Sequence, residues 1–377
     1  MSICVIIILV CYATLIGLIT WGWFRLDIFK TPDNTFKTRV SIIVAARNEE
    51  LNIENLLSDL NSLDYPAELV EVILVDDHSE DATLRIANEF AVKHHFSFTI
   101  LELRDSQISG KKAALHHAVQ LSKGELILTT DADCRLKPGW LKAMVGYYET
   151  YNPSMILGPV KFEKGNSLFV SMQELEFMSL IVTTAGSVKA GFPIMANGAN
   201  LAYQRKAYEV CGGLSEKIQY ASGDDVFMLS AIKKEFGSSS IHFLKSQDAL
   251  VMTMPEKDPG SFIQQRLRWV SKSRGYKDVQ LQFVSILVYL TNLSLVLSLI
   301  LACFRLIPFE MAAFFYISKL VIDIPVMAGI SCFFKRGFLM MYFPVLEIIN
   351  ALYTVVIGLI GNLKSFNWKG RRYFPGN

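Results

Sequence analysis

Three hydrophobic patterns divide the chain. Ser2 to Phe24 is an almost uncharged apolar run, about long enough to cross the hydrocarbon core of a bilayer. From Val40 onward, short apolar runs alternate with amphipathic stretches. Val40 to Ala45 (VSIIVA), Val70 to Val75 (VEVILV), Phe98 to Leu103 and Glu125 to Thr130 read as buried strands. Between them, helices are predicted from Arg47 to about Leu63, from Asp81 to His94 and from Gly110 through Val119. Strand and helix alternating at this spacing predict βαβ units and a mostly parallel α/β sheet of the nucleotide-binding type. Further on, Met155 to Val160 predicts an edge strand, Asn166 to Val188 a helix and Ala249 to Met254 another strand. Phe262 to Tyr276 predicts an amphipathic helix whose polar face carries Arg266, Arg268, Lys272 and Arg274, and such a basic helix is expected to lie at a membrane interface. Leu281 to Phe304 is a membrane span by its length and apolarity, and Phe309 to Phe334 and Phe338 to Leu363 are two further candidates.

The first run lacks a basic leader and a small-residue cleavage site, so it reads as a retained anchor rather than a signal peptide. Arg25, Lys30, Lys37 and Arg39 follow it closely, which by the positive-inside rule places the next segment in the cytoplasm. The predicted layout is a membrane helix over residues 1–24, a cytoplasmic domain over 37–260 and an interfacial helix over 261–280. Membrane segments over 281–363 and a basic, aromatic tail over 364–377 complete it. Three crossings after the domain would leave that tail outside. The Phe309 segment, with Lys319, Asp323 and Pro325, is therefore expected to be re-entrant or interfacial rather than spanning.

Hydrophobic residues make up 51% of the chain, above the soluble average, in keeping with membrane segments. A net charge of +2 leaves no electrostatic footprint for nucleic acid. The six cysteines form no CxxC pair, which argues against a zinc site and a disulfide framework.

Candidate chemistry gathers at strand and helix ends. Asp131 and Asp133 follow the Glu125 strand, and in a parallel sheet that end is where ligands bind. Two carboxylates two residues apart on a turn can hold one hard cation, Mg²⁺ or Mn²⁺, shared with phosphate oxygens; alone, D-A-D is as easily an acidic turn. Asp76 and Asp77 end another strand, where a carboxylate can accept from a ribose or base, or simply cap a helix. Lys111 and Lys112 start a helix, where cation and helix N-terminus together favour a diphosphate, although such a pair is usually a solvated face. Asp224 and Asp225 follow a glycine at a helix start, as a general base or a capping pair. Gln265, Arg268 and Trp269 share one helix face, where the arginine can bind a leaving diphosphate and the indole can support a sugar or anchor at a membrane interface. His94, His95, His116 and His117 sit on predicted helices without partners and read as structural or surface residues.

In order along the chain, SIIVAARNEE, ILVDDHSED, GKKAAL, TTDADC, NGANLAY, SGDD and QQRLRW resemble the family 2 inverting glycosyltransferases. The resemblance is to the membrane-embedded branch that includes cellulose, chitin, hyaluronan and poly-N-acetylglucosamine synthases and ceramide glucosyltransferase-like enzymes, and it covers about Val40 to Trp269. It implies a GT-A fold, a nucleotide-sugar donor (usually a UDP-sugar) and a divalent metal. By the same resemblance, Ala45 and Asn48 lie in the first nucleotide-contacting segment, Asp77 binds the base and Lys111 lies near the diphosphate. Asp131 and Asp133 form the D-x-D, with Asp133 the direct metal ligand, and Asp225 matches the general base, with Asp224 beside it. Gln265, Arg268 and Trp269 match Q-x-x-R-W, with the Trp by the acceptor and the Arg facing the diphosphate. FNWKGRRY is similar to the tail of related bacterial membrane transferases, which implies an inner-membrane protein with its tail on the cytoplasmic face. Three C-terminal segments are few for a polymer channel. That favours transfer to a lipid-linked acceptor over a growing polysaccharide, whereas Q-x-x-R-W is commonest among polymerising members. A metal-dependent nucleotidyltransferase and an inactive membrane scaffold are the remaining alternatives. Protein partners are not indicated.

Overall fold

The structure is a computed structural model that describes residues 3–33, 36–92, 94–103, 110–165, 167–213, 223–271, 275, 278–361, 365–369 and 371–373. Ser222, Lys272 and Arg274 lie outside them.

After helix α1 (Ile3–Arg25), the chain builds β1 (Val40–Ala46), α2 (Ile53–Asn61), β2 (Val70–Asp76), α3 (Thr83–Phe90), β3 (Ser97–Glu102), α4 (Lys111–Leu121) and β4 (Leu126–Asp131). The less regular half follows with α5 (Trp140–Tyr151), β5 (Met155–Leu157), β6 (Val160–Phe162), α6 (Leu168–Lys189), β7 (Leu201–Gln204), α7 (Arg205–Val210) and α8 (Asp224–Phe236). It closes with β8 (Ile241–Phe243), β9 (Val251–Thr253) and α9 (Pro259–Ser271). Helices α10 (Val279–Cys303), α11 (Phe309–Phe333) and α12 (Phe343–Ile360) and a hairpin of β10 (Phe366–Trp368) and β11 (Arg371–Tyr373) end the chain.

Among the described residues the main sheet runs β3-β2-β1-β4-β7-β5-β8. Its first four strands are parallel, and β7 then pairs antiparallel with β4 and with β5. The apolar runs of β1, β2 and β4 are buried along nearly their whole length, as a parallel sheet covered on both faces requires. One expectation fails here. Met155–Leu157 is not an edge strand, because β8 pairs outside it in parallel register. The signal was too short to show a three-residue partner arriving from Ile241–Phe243.

Among the described residues, five helices are long and apolar enough to cross a membrane, namely residues 5–25 of α1 together with α6, α10, α11 and α12, and more than half of α6 is buried inside the protein. Helices α1 and α6 cross at backbone contact, since a Cβ on Gly22 would lie 2.2 Å from the Gly186 carbonyl oxygen. Helix α11 is continuous through Pro325. Its Lys319 and Asp323 are buried and pair at 2.9 Å, Glu347 of α12 also pairs with Lys319, and Tyr12 of α1 donates to Asp323 at 2.8 Å. These charges join three helices.

Both α11 and α12 direct their C-terminal ends toward the α/β domain. Gln247 donates to the Phe333 carbonyl at 2.5 Å, Arg336 forms two 2.6 Å hydrogen bonds with Glu174, and Ile357 packs on Leu267. The start of α12 lies beside the first half of α11, where Tyr316 donates to the Pro344 carbonyl at 2.5 Å. The short link after Phe333 therefore turns back into the bundle, and the tail emerges beside the domain.

The basic face of α9 also differs from expectation. Arg266 is 2% exposed and paired with Glu176 of α6, while Arg268 lines an internal cavity. These guanidinium groups face protein carboxylates rather than lipid headgroups, because a buried charge persists only when paired.

Candidate active site

The site forms where β1, β2 and β4 end together. Register places Ala45 beside Asp131 and Ala46 beside Asp76, so three adjacent strand ends deliver their loops to one edge. Opposite them, the 197–200 loop is fixed from both sides. Thr129 of β4 donates to the Gly198 carbonyl at 3.0 Å, and the Gly198 amide donates to Asp225 Oδ2 at 3.3 Å. A Cβ at position 198 would lie 3.3 Å from Asp224 Oδ2 and 3.4 Å from Lys111 Nζ, so a larger residue would press on both charged groups by a few tenths of an ångström. Asn200, fully buried, anchors the loop by accepting from Trp140 at 3.0 Å and donating to the Pro159 and Ala249 carbonyls. Gly223, at φ +93°, turns the chain into α8 so that Asp224 and Asp225 fall in its first turn.

A cavity of about 360 Å³ results. Lys111, Asp131, Asp133, Asp224 and Asp225 line its polar side, and Gln265, Arg268 and Trp269 of α9 close the other. Phe162, Phe177, Met254 and Pro255 add an apolar wall. Ala45, Asn48, Asp76, Asp77 and Lys112 are not among the lining residues. Ala45 is half-buried in β1. Asn48, at φ +51°, accepts from the Glu80 amide at 2.9 Å and so pins two loops together. Asp77 is buried and accepts the Gly110 amide on both oxygens at 3.1 Å, which ties the end of β2 to the start of α4 just ahead of Lys111. His116 also departs from expectation, because its Nδ1 lies 2.7 Å from the Tyr208 hydroxyl.

The charges in the cavity are strongly coupled. Burial alone would lower the Lys111 ammonium, but Asp131 and Asp224 outweigh it and hold the group above the usual lysine range. Lys111 is hydrogen bonded to Asp131 and lies 3.8 Å from Asp224. Burial pushes Asp131 upward, yet Lys111, then Lys369 and Arg268, bring it below the ordinary aspartate value. Asp133 goes the other way: burial first, then the charges of Asp131 and Glu49, push it up to about 6. Burial also lowers Arg268 against the pull of Asp131 and Glu256.

Several contributors were not visible in the sequence. Arg47 is buried and donates to the Asp77 carbonyl at 2.8 Å and to the Lys369 carbonyl at 3.1 Å, and Lys369 pairs with buried Glu49. The tail hairpin thus packs on the strand-end edge. Gln265 donates to Glu256 at 2.7 Å, and the Glu256 backbone is held by Gln173 of α6. These contacts span up to some three hundred positions, and no local motif carries them.

Residues 41–212 match the family model "Glycosyl transferase family 2". That segment is a family 2 glycosyltransferase domain. The chain is 29% identical over 184 residues to beta-monoglucosyldiacylglycerol synthase of Trichormus variabilis, covering 47% of this chain and 38% of that protein. It is 28% identical over 144 residues to poly-beta-1,6-N-acetyl-D-glucosamine synthase of Staphylococcus epidermidis, covering 38% of this chain and 33% of that protein. The chain thus spans well under half the length of these relatives. Among solved structures, a mannosyltransferase from Pyrobaculum calidifontis in complex with GDP-Man and Mn²⁺ superposes with a TM-score of 0.57 at 19% identity, over 94% of this chain and 99% of that one. The glycosyltransferase domain has the GT-A fold, and the matched segment carries the strand ends, Lys111 and the D-x-D. Phe162, Phe177 and the 197–199 loop also fall within it, and the lining residues from Asp224 to Trp269 come from the chain beyond it.

Proposed function

We propose that the protein is a membrane-bound inverting glycosyltransferase that moves a sugar from a nucleotide-sugar donor, a UDP-sugar, to a lipid-linked acceptor at the cytoplasmic membrane face. The observation that carries this reading is the single cavity in which Asp131, Asp133, Lys111 and Arg268 meet Asp225 and Trp269.

The residues fit a divalent cation. Asp131 and Asp133 offer oxygen ligands, and the raised Asp133 reports a surplus of buried negative charge that Mg²⁺ or Mn²⁺ would relieve. Among the described residues no group of three or more side chains could hold a metal unaided, so the donor's phosphates would complete the coordination. When bound, the cation would supply charge stabilisation at the diphosphate.

The chain's own groups then do the following. Asp225 takes the proton of the acceptor hydroxyl as its oxygen bonds to the anomeric carbon. The bond from that carbon to the diphosphate oxygen breaks in the same step, and its electron pair leaves on the nucleoside diphosphate. Lys111 and Arg268 neutralise the charge that develops there. Asp77, with Ala45 and Asn48 at the neighbouring strand end, faces the nucleoside. Trp269 and the apolar wall receive the acceptor, with Gln265 and Asp224 completing the rim. The buried Lys319–Asp323–Glu347 cluster fills the space between α1, α11 and α12 and favours transfer to a lipid over export of a polymer.

The test is mass spectrometry of lipid-extractable and polymeric products after a panel of UDP- and GDP-sugars is supplied to membranes containing this protein. A glycosylated lipid absent from Asp225→Asn membranes supports the reading. A polymeric product would assign the processive alternative, and release of pyrophosphate a nucleotidyltransferase.

A further inference from the structure

Resting on the transferase reading above, we propose that Arg266 and Glu176 are positioning residues for the acceptor side of the cavity, holding Trp269 and Gln265 from behind and linking them to membrane helix α12. Neither residue lines the cavity. Arg266 stands between Gln265 and Arg268, two of the three residues that Q-x-x-R-W singles out, yet it is not among the cavity's lining residues.

Its guanidinium lies 4.2 Å from the centroid of the Trp269 ring and 4.2 Å from that of Phe262. Arg266 Nε donates to Glu176 at 2.9 and 3.2 Å and Nη2 pairs with the same carboxylate, so the plane of the fork is set by α6. Another donor, Nη1, goes to Gln265 Oε1. That contact fixes the amide so that Gln265 Nε2 reaches Glu256 Oε1 at 2.7 Å. The Tyr353 hydroxyl of α12 donates to Glu176 as well. One buried cation thus orients an indole and an amide at the cavity wall, and one largely buried carboxylate connects that cation to two helices outside α9.

A buried ion pair that served stability alone would not need this geometry. Its ring contact and three-way donation need a planar group with several fixed donors. Lysine cannot supply them, although it keeps the charge. The arrangement predicts that loss of the fork misplaces the acceptor platform while leaving Lys111, Asp131 and Asp133 of the donor side in place, since they are carried by α4, β4 and the turn after β4.

The experiment uses the full chain in detergent, with vesicles of phosphatidylglycerol and diacylglycerol as acceptor probe and the donor identified in the product screen. Variants are Arg266→Lys, Glu176→Gln and Tyr353→Phe, the last removing a single hydroxyl. For Arg266→Lys and Glu176→Gln, transfer to the vesicles should fall about 10- to 100-fold with a raised acceptor KM, while donor KM and donor hydrolysis to water stay within about twofold. Tyr353→Phe should shift the same parameters in the same direction by a smaller factor. Trp269 emission, obtained by difference against Trp269→Phe, should shift in Arg266→Lys and Glu176→Gln. Wild-type transfer with unchanged emission in Arg266→Lys overturns the assignment. So does loss of donor hydrolysis in step with transfer, which would mark a purely structural pair. If the unaltered protein turned over no donor at all, the transferase reading would fail, and the emission shift would still decide whether Arg266 orients Trp269.

Discussion

The Lys111 ammonium stands 3.8 Å from the Asp224 carboxylate while it is hydrogen bonded to Asp131. One cation therefore spans the gap between the end of β4 and the head of α8. Those two elements are joined otherwise through the Gly198 loop. A diphosphate arriving between them would meet Lys111 directly. Lys111→Ala should lower kcat/KM for the donor about 10²- to 10³-fold, the cost of removing one preorganised electrostatic group. Lys111→Arg should recover part of the loss. Steady-state kinetics on the two variants check this, and unchanged donor kinetics in Lys111→Ala would place the diphosphate elsewhere.

Asp225 contacts the Gly198 amide at 3.3 Å and its neighbour's amide, from Val226, at 2.8 Å. An asparagine can keep the second contact and the shape of the turn, but it cannot take a proton. Asp225→Asn should reduce transfer by about 10²- to 10⁴-fold, with nucleoside diphosphate affinity nearly unchanged. Calorimetric titration of UDP and of GDP in the presence of Mn²⁺ separates binding from turnover. Wild-type turnover would remove Asp225 as the base.

Asp133 is ionised at neutral pH against its surroundings, since burial, Asp131 and Glu49 raise it to about 6. A carboxyl raised in the folded state binds its proton more tightly there than in the unfolded chain. Folding therefore loses stability as pH rises from about 4 to about 6, and the penalty is full above that. Asp133→Asn should remove a penalty of about 1–3 kcal/mol and raise the metal-free Tm. It should also abolish the rise in Tm that Mn²⁺ with nucleoside diphosphate gives the unaltered protein, because stabilisation by a ligand requires a native site. Thermal melts with and without Mn²⁺ test both halves. A variant with a lower Tm and an intact Mn²⁺ response would refute the assignment.

How far the sequence reached depends on the range of the interaction. Strands β1, β2 and β4 and the helices between them were legible because buried parallel strands are continuous apolar runs, and the chemistry at their ends sits within a few residues of each run. The same local logic brought Lys111, Asp131, Asp133, Asp224 and Asp225 forward, and the spacing of Gln265, Arg268 and Trp269 put them on one helix face. Failures came where a residue's partner lies far away in the chain. Arg266 read as a lipid-facing charge because Glu176 is ninety positions away. Lys319 and Asp323 read as charges of a re-entrant or interfacial segment, and their pairing with Glu347 and Tyr12 was not in view. Asn48 also accepts from the Glu80 amide, a contact that no pattern in SIIVAARNEE announces.

His116 lies behind the site on α4, with Nδ1 2.7 Å from the Tyr208 hydroxyl. Burial, and then the charge of His117, lower it below the ordinary histidine value. The unfolded chain therefore binds this proton more readily, so the contribution is present above about pH 6.5 and is lost as pH falls through the folded value. His116→Gln keeps a hydrogen-bonding group toward Tyr208 but does not titrate. Its Tm should decline less between pH 7 and pH 5 than that of the unaltered protein. Parallel pH–Tm curves for the two proteins would show that His116 carries none of the slope.

Gly186 and Gly22 form the contact by which α1 holds α6, and α6 in turn carries Glu174, Glu176 and Gln173 toward the C-terminal apolar helices and the cavity. A Cβ on Gly186 would lie 2.3 Å from the Ile19 carbonyl oxygen, and one on Gly22 2.2 Å from the Gly186 carbonyl oxygen. Both neighbours are backbone, so no side chain can swing aside and the helices must separate. Gly186→Ala should destabilise by about 1–3 kcal/mol, as overpacking does elsewhere, despite alanine's better helix propensity. Gly22→Ala should cost a similar amount. The double variant should cost less than the sum of the two, because one displacement of α1 relieves both clashes. Gly17, on the same helix with nothing within 4 Å of its Cβ position, is the control, and Gly17→Ala should leave Tm unchanged or slightly raised. Equal Tm values for Gly17→Ala and Gly186→Ala would mean that α1 does not dock on α6 at these glycines.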